Sequence, residues 1–119
     1  MRLYTAPAEL LRRGAPNPGS LRPAEKDRAS GVSCFETETA MKKAFADTAN
    51  RIEPGDTYVV LETSRLWGVV VVRDEAVEGH WLIRPADPAE MDTWIKDRPT
   101  HRLTAMLQAA IIKPVRKVR

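Results

Sequence analysis

Apolar positions along the chain follow two rhythms, one of three- and four-residue steps and one of short β-branched runs, and their alternation sets out the expected elements. Met41, Ala44, Phe45, Thr48 and Ala49 keep the i, i+3, i+4, i+7, i+8 spacing of one buried helical face, with Thr37 or Thr39 placed to cap it. Leu103, Met106, Leu107, Ala110 and Ile111 repeat that spacing behind Thr100 as a cap, and Pro114 is expected to close this last helix. A third helix has Asp87 as cap, Pro88 in its first turn and Met91, Trp94 and Ile95 on its apolar face, and Pro99 breaks it. Ala8 to Arg13, bracketed by Pro7 and Gly14, reads as a further short helical piece.

Five runs carry the strand signature: Arg2 to Thr5, Gly31 to Phe35, Thr57 to Glu62, Trp67 to Arg73 and His80 to Arg84. Only Thr63 to Leu66 separate the third from the fourth, a length that predicts a hairpin. Pro16, Pro18 and Pro23 with Gly14 and Gly19 deny residues 14–30 regular pairing. A loop of that length is uncommon in a small domain unless it serves a site, so it is expected to cover the first two strands. About five strands and three to four helices, not alternating one for one, give an α+β domain built on a mostly antiparallel or mixed sheet. Tyr4, Phe35, Phe45, Val59, Val70, Trp81, Leu82, Trp94, Leu103 and Leu107 occupy the apolar phases of these elements and are the expected core. Trp67 is assigned to the core as well.

The chain has 119 residues, 43% hydrophobic and 29% charged, which suits one globular domain and excludes wholesale disorder. The expected division is a single domain over 1–114 and a solvated basic tail over 115–119. No apolar run approaches the ~18 residues that cross a bilayer, and the first residues lack the pattern of a secretory signal, so a cytoplasmic site of action is expected. The net charge of +3 conceals a division. Residues 98–119 carry Arg98, Arg102, Lys113, Arg116, Lys117 and Arg119 with no acid, while the acidic side chains lie earlier, many of them within residues 36–97. The basic end can be an ordinary solvated surface or a phosphate-contacting patch, with His101, Arg102, Lys113, Arg116 and Lys117 as the contacts. Aromatic residues for base stacking are absent from it.

Several chemistries are excluded by pattern. The chain has no phosphate-binding loop, dinucleotide-binding glycine turn, nucleophile elbow or paired-histidine zinc helix. Cys34 is the single cysteine, which forbids an internal disulfide, and with only two histidines a structural zinc site is not expected. No metal is assigned.

Three segments stand out together: Arg2-Leu3-Tyr4, then Gly31-Val32-Ser33-Cys34-Phe35 behind the Pro/Gly-rich loop, and Gly79-His80-Trp81-Leu82-Ile83-Arg84-Pro85 before the C-terminal helices. In this order they resemble the ADP-ribosyltransferase-like superfamily, especially its small bacterial toxins, including those delivered by type VI secretion. The resemblance implies a bacterial toxin that takes NAD as substrate, releases nicotinamide and transfers ADP-ribose to a cytosolic macromolecule. It implies an immunity protein or antitoxin as partner. Arg2 and Tyr4 match the first-strand residues that hold the dinucleotide, and Ser33, with Phe35 beside it, matches the serine segment lining the nicotinamide pocket. A guanidinium fork suits pyrophosphate, and a hydroxyl that both donates and accepts suits a ribose or carboxamide. Glu78 or His80 is expected near the ribose, although Glu78 precedes the strand and lacks the superfamily's Glu-x-Glu or Gln-x-Glu context. Two other readings stand beside this one: the same fold binding another ligand without transfer, and a basic module that docks on nucleic acid or a protein partner.

Overall fold

Leu10 and Leu11 are adjacent in sequence and both are buried, which a strand between two apolar layers permits and a short surface helix does not. In the computed structural model, which describes residues 5–21, 23, 31–97 and 99–119, this segment is strand β1, Glu9–Arg13. The expected helix over Ala8 to Arg13 is therefore corrected. Its Glu, Leu and Arg residues favour helix locally, but pairing with strands on both sides overrides that preference. The remaining elements are β2 Val32–Phe35, α1 Glu38–Phe45, β3 Thr57–Glu62, β4 Val69–Arg73, β5 His80–Pro85, α2 Glu90–Lys96, α3 Arg102–Ala109 and β6 Ile111–Lys117. The expected first strand over Arg2 to Thr5 lies, apart from Thr5, outside the described residues, as does the core assignment of Tyr4.

The described strands form one antiparallel sheet in the order β4-β5-β2-β1-β3-β6. The α+β class holds, with six described strands in place of about five. β3 and β4 are not a hairpin: β1 and β6 occupy both sides of β3. A 3-10 turn over Thr63–Arg65, tied by the Thr63 hydroxyl to the carbonyl of Pro7, begins the passage across the sheet to its far edge. Pro114 does not close a helix. It sits inside β6, an edge strand, where the register against β3 shifts between Tyr58 and Val60. A residue without an N–H is tolerated at such an irregular edge position. Residues 115–117 consequently belong to the sheet rather than to a tail, and Val118 is buried, its backbone bonded to Gly55 and Asp56.

Both sheet faces are covered. One carries Leu10, Val32, Cys34, Val59, Leu61, Trp81, Ile83 and Ile111 against Trp94 of α2 and Leu103, Met106 and Leu107 of α3. The other carries Leu11, Phe35, Tyr58, Val60 and Val118 against Met41 of α1, with Ala44 and Phe45 half-buried at its margin. Among the expected core residues that are described, Val70 is exposed, at 45%. Trp67 is also exposed, at 51%, with the Arg102 guanidinium 5.4 Å from its ring centre.

Thr37 caps α1 by accepting from the backbone N–H of Ala40. At α3 the cap is His101 rather than Thr100: its Nδ1 accepts from the N–H of Leu103. The described part of the long loop is pinned rather than free. Leu21 is fully buried, Ser20 bonds to Asn17, and Arg12 donates to the Ser20 carbonyl. Residues 22 and 24–30 of the expected cover lie outside the described residues.

Candidate functional site

β2 and β5 pair with Ser33 opposite Leu82 and Phe35 opposite His80. Because successive strand side chains alternate in direction, Ser33, Phe35, His80, Leu82 and Arg84 share one face, and Cys34 points to the other. β1 pairs with β2 at a single described position, Leu11 against Phe35. Arg12, next along β1, donates to the Ser33 carbonyl at 2.9 Å and to the Ser20 carbonyl at 2.8 Å. It braces the backbone that carries the Ser33 hydroxyl.

The Ser33 hydroxyl is hydrogen-bonded to His80 Nε2, and His80 Nδ1 lies 2.7 Å from Asp74 Oδ2. An ionised carboxylate can only accept, so the neutral imidazole carries its proton on Nδ1, and Nε2 is left to accept from the Ser33 O–H. The order hydroxyl, imidazole, carboxylate is that of an activated nucleophile with its general base and the group that orients the base. The Phe35 ring lies against the imidazole at 4.9 Å between centres and fixes its plane, and the His80 side chain is only 13% exposed.

Asp74 is placed by the tight turn that joins β4 to β5. Its Oδ1 accepts from the Ala76 N–H, its own N–H donates to the His80 carbonyl, and the His80 N–H donates to Val77. The His80 hydrogen bond above all holds the Asp74 carboxyl below its ordinary value of 3.8; partial burial opposes this, while the Ala76 N–H and the charges of His80 and Arg84 add to it. A carboxylate whose pKa is depressed by folding contributes stability that is complete above the unfolded value and is lost as pH falls through the folded one. The stability difference between the wild type and Asp74→Asn is therefore expected to be constant near neutrality and to shrink below about pH 3.8. Urea unfolding across that range measures it.

The turn also depends on Gly79. Its φ is +73°, and a Cβ there would stand 2.6 Å from the Cβ of Ala40 on α1. Gly79→Ala is expected to cost at least about 1–2 kcal/mol from the left-handed backbone alone. A lowered urea midpoint with an unchanged slope is the expected readout.

Glu78 is not part of the constellation. Its side chain is 83% exposed and faces Lys43 at 3.7 Å. It precedes the strand, and the turn carries it outward toward a cleft of about 270 Å³ lined in part by Thr37, Thr39, Lys43 and Gly79. Glu36, at the end of β2, accepts from Trp81 Nε1 at 2.7 Å. A second cleft, of about 610 Å³, lies among Glu62, Arg65, Gln108 and Ile112 and contains none of the site residues. Cys34 is fully buried, and that burial raises its thiol to about 12 against the opposing charge of Arg12. It is no nucleophile.

Of the site residues expected from sequence, Ser33, Phe35 and His80 are brought together, Glu78 is turned away, and Arg2 and Tyr4 lie outside the described residues. The alternative phosphate contacts do not form one tail. His101 is used as a helix cap, stacks on Trp94 and stands 3.6 Å from Glu90. Arg102 pairs with Glu90, while Arg116 and Lys117 lie on β6 opposite Tyr58 and Thr57. Lys113 falls in the same strand. Asp74 and Arg12 were missed by sequence reasoning, and Arg84 was seen only as part of the last strand motif, with no role. The signal for Asp74 was an acid at the end of one strand run and a histidine at the start of the next.

Among the described residues no group of three His, Cys, Asp or Glu side chains is placed to hold a metal ion, and no helix is long and apolar enough to cross a membrane. Comparisons with protein-family models, with curated proteins and with solved structures find no match to this chain.

Proposed function

We propose that this chain is an ADP-ribosyltransferase-like module of the small bacterial toxin kind, which takes NAD as substrate beside Ser33 and His80 on β2 and β5. The observation that carries the reading is the hydrogen-bonded array of Ser33, His80 and Asp74 on the strand that bears the resembled serine motif. Ser33 and His80 stand on paired strands, β2 and β5, which hold the second and third of the three segments that carry the resemblance.

Ser33 is suited to orient the nicotinamide ribose, because its hydroxyl both donates and accepts. Arg84 lies on the same face of β5 as His80, and a guanidinium suits a pyrophosphate through bidentate geometry. Phe35 offers an aromatic surface beside the imidazole. No described carboxylate stands where a developing positive centre would need it: Asp74 is engaged behind His80, Glu36 with Trp81, and Glu78 outward with Lys43. His80, between the Ser33 hydroxyl and Asp74, is the group placed to move a proton at that hydroxyl.

Calorimetric titration with NAD tests the reading. The wild type is expected to bind. Arg84→Ala is expected to bind about 10- to 100-fold more weakly, the loss of a charge-assisted hydrogen bond worth roughly 1.5–3 kcal/mol. Absence of binding by the wild type, or equal affinity in Ser33→Ala and Arg84→Ala, would contradict it.

A further inference from the structure

We infer that Ser33 is a nucleophile in its own right and that the chain cleaves small carboxylic esters through an acyl group carried on the Ser33 hydroxyl. This activity draws on the array of Ser33, His80 and Asp74 alone, lies beyond the proposed use of NAD and needs no dinucleotide.

Three observations carry it. The first is the order of atoms. A serine that only satisfies its strand has no need of an imidazole on its hydroxyl and a carboxylate behind that imidazole, whereas a serine that must lose its proton to attack needs both. Such a constellation is recognised by its geometry and not by the turn that carries the serine, so a strand can hold it without a nucleophile elbow. The second is that each member is held in place. Phe35 lies against the imidazole, the Ala76 N–H and the His80 carbonyl fix Asp74, and Arg12 donates to the Ser33 carbonyl. Groups fixed before a reaction spend little on reorganisation during it. The third is access. Ser33 is half-buried and the His80 side chain is 13% exposed, so a small acyl group arriving from solvent reaches the hydroxyl without an enclosing cavity. Leu82, buried directly across the strand pair, and Phe35 border the serine with apolar surface, which favours a short uncharged acyl chain. Cys34 is fully buried on the opposite face and does not compete.

In the first half of the reaction Ser33 Oγ forms a bond to the ester carbonyl carbon, and the electron pair of the C=O double bond moves to its oxygen. His80 Nε2 takes the Ser33 proton, and Asp74 holds the resulting imidazolium. The carbonyl re-forms, the bond to the alcohol oxygen breaks, and His80 returns the proton to the departing alcohol. Water repeats the sequence on the acyl group: it gives a proton to His80, bonds to the carbonyl carbon and displaces Ser33 Oγ, which recovers that proton. One ester and one water thus yield one acid and one alcohol, and no further reactant is required. The negative oxygen formed at each attack is stabilised by positive charge. Arg84 brings a cation to the face of the array, diagonal to Ser33 across the strand pair, and its stem passes so close to Gly31 that a Cβ there would stand 2.9 Å from its Cγ.

Incubation of the full chain with a fluorophosphonate, from which an activated serine displaces fluoride, followed by intact-mass measurement and peptide mapping, tests this. The expected result is one phosphonyl group per folded chain, located on Ser33, and none on the chain unfolded in urea. Ser33→Ala is expected to show none, and His80→Ala to react about 10²-fold or more slowly, as for loss of a positioned general base. The wild type is expected to hydrolyse p-nitrophenyl acetate, and both its phosphonylated form and Ser33→Ala to do so at least about tenfold more slowly. No labelling of the folded wild type, labelling of another residue, equal rates in the wild type and His80→Ala, or ester hydrolysis that survives phosphonylation of Ser33 would overturn the inference. The mapping and the phosphonylated form use the wild-type chain and decide the matter even where a variant does not fold. Neither assay contains NAD, so the proposed use of NAD stands or falls separately, on the calorimetric titration.

Discussion

His80→Ala is expected to lower nicotinamide release from NAD by about 10²- to 10⁴-fold, the range associated with loss of a positioned general base. The imidazole is the one side chain that touches both other members of the array, so its removal leaves the Ser33 hydroxyl without an acceptor and Asp74 without its partner. The binding of NAD is expected to change far less, because the proposed pyrophosphate contact is Arg84. A fall in turnover at nearly constant affinity therefore separates this residue from one that merely holds the substrate. His80 also lies against Phe35, and the variant should be slightly less stable. Its far-ultraviolet circular dichroism should match the wild type.

The largest effect on stability is expected from Trp94→Ala, at about 3–5 kcal/mol. Trp94 is fully buried between α2 and the sheet, among Trp81, Ile83, Leu103 and Leu107. Its Nε1 donates at 2.9 Å to the hydroxyl of Thr104, itself buried on α3. Truncation would open a cavity and orphan a buried polar group at once, and the second loss adds to the first. Guanidinium unfolding measures it. Trp94→Phe keeps most of the volume and loses the hydrogen bond, so it is expected to fall between the wild type and the alanine variant. A cost below 1 kcal/mol for Trp94→Ala would mean that the helical layer is not packed as described.

The parts of the fold that sequence reasoning reached are those where local pattern and tertiary placement agree. α1 and α3 follow from their apolar spacing, although α1 ends at Phe45, leaving Thr48 and Ala49 exposed, and Ile111 opens β6; β2, β3 and β5 follow from short β-branched or aromatic runs. β1 was misread because two consecutive leucines flanked by Glu and Arg look helical, and only the helical layers on both faces of the sheet make both directions buried. The pairing of β3 was misread for a similar reason. A short connection suggests a hairpin, but the position beside β3 is taken by strands from distant parts of the chain, one of which, β6, hides behind a proline.

Within the candidate site, Ser33 and His80 were legible through the strand motifs that hold them. Asp74 was not. It lies six residues before His80 in a run of acids, and nothing in that run distinguishes the carboxylate folded inward by the Ala76 and His80 backbone bonds from Glu78, which the same turn carries outward. Arg84 was visible as part of the last strand motif, but its face followed only from the register that sets Ser33 opposite Leu82.

The central claim is that Ser33, His80 and Asp74 act as one unit on NAD. Groups that act as a unit lose nearly all of their effect when any essential member is removed, so their losses do not add. The most direct measurement is the rate of nicotinamide release by the wild type, by Ser33→Ala, His80→Ala and Asp74→Asn, and by the variant carrying all three substitutions. The account predicts that Ser33→Ala and His80→Ala each lower the rate about as far as the triple variant, with Asp74→Asn somewhat above them. Losses that multiply from one variant to the next, or a rate that none of the substitutions changes, would contradict it.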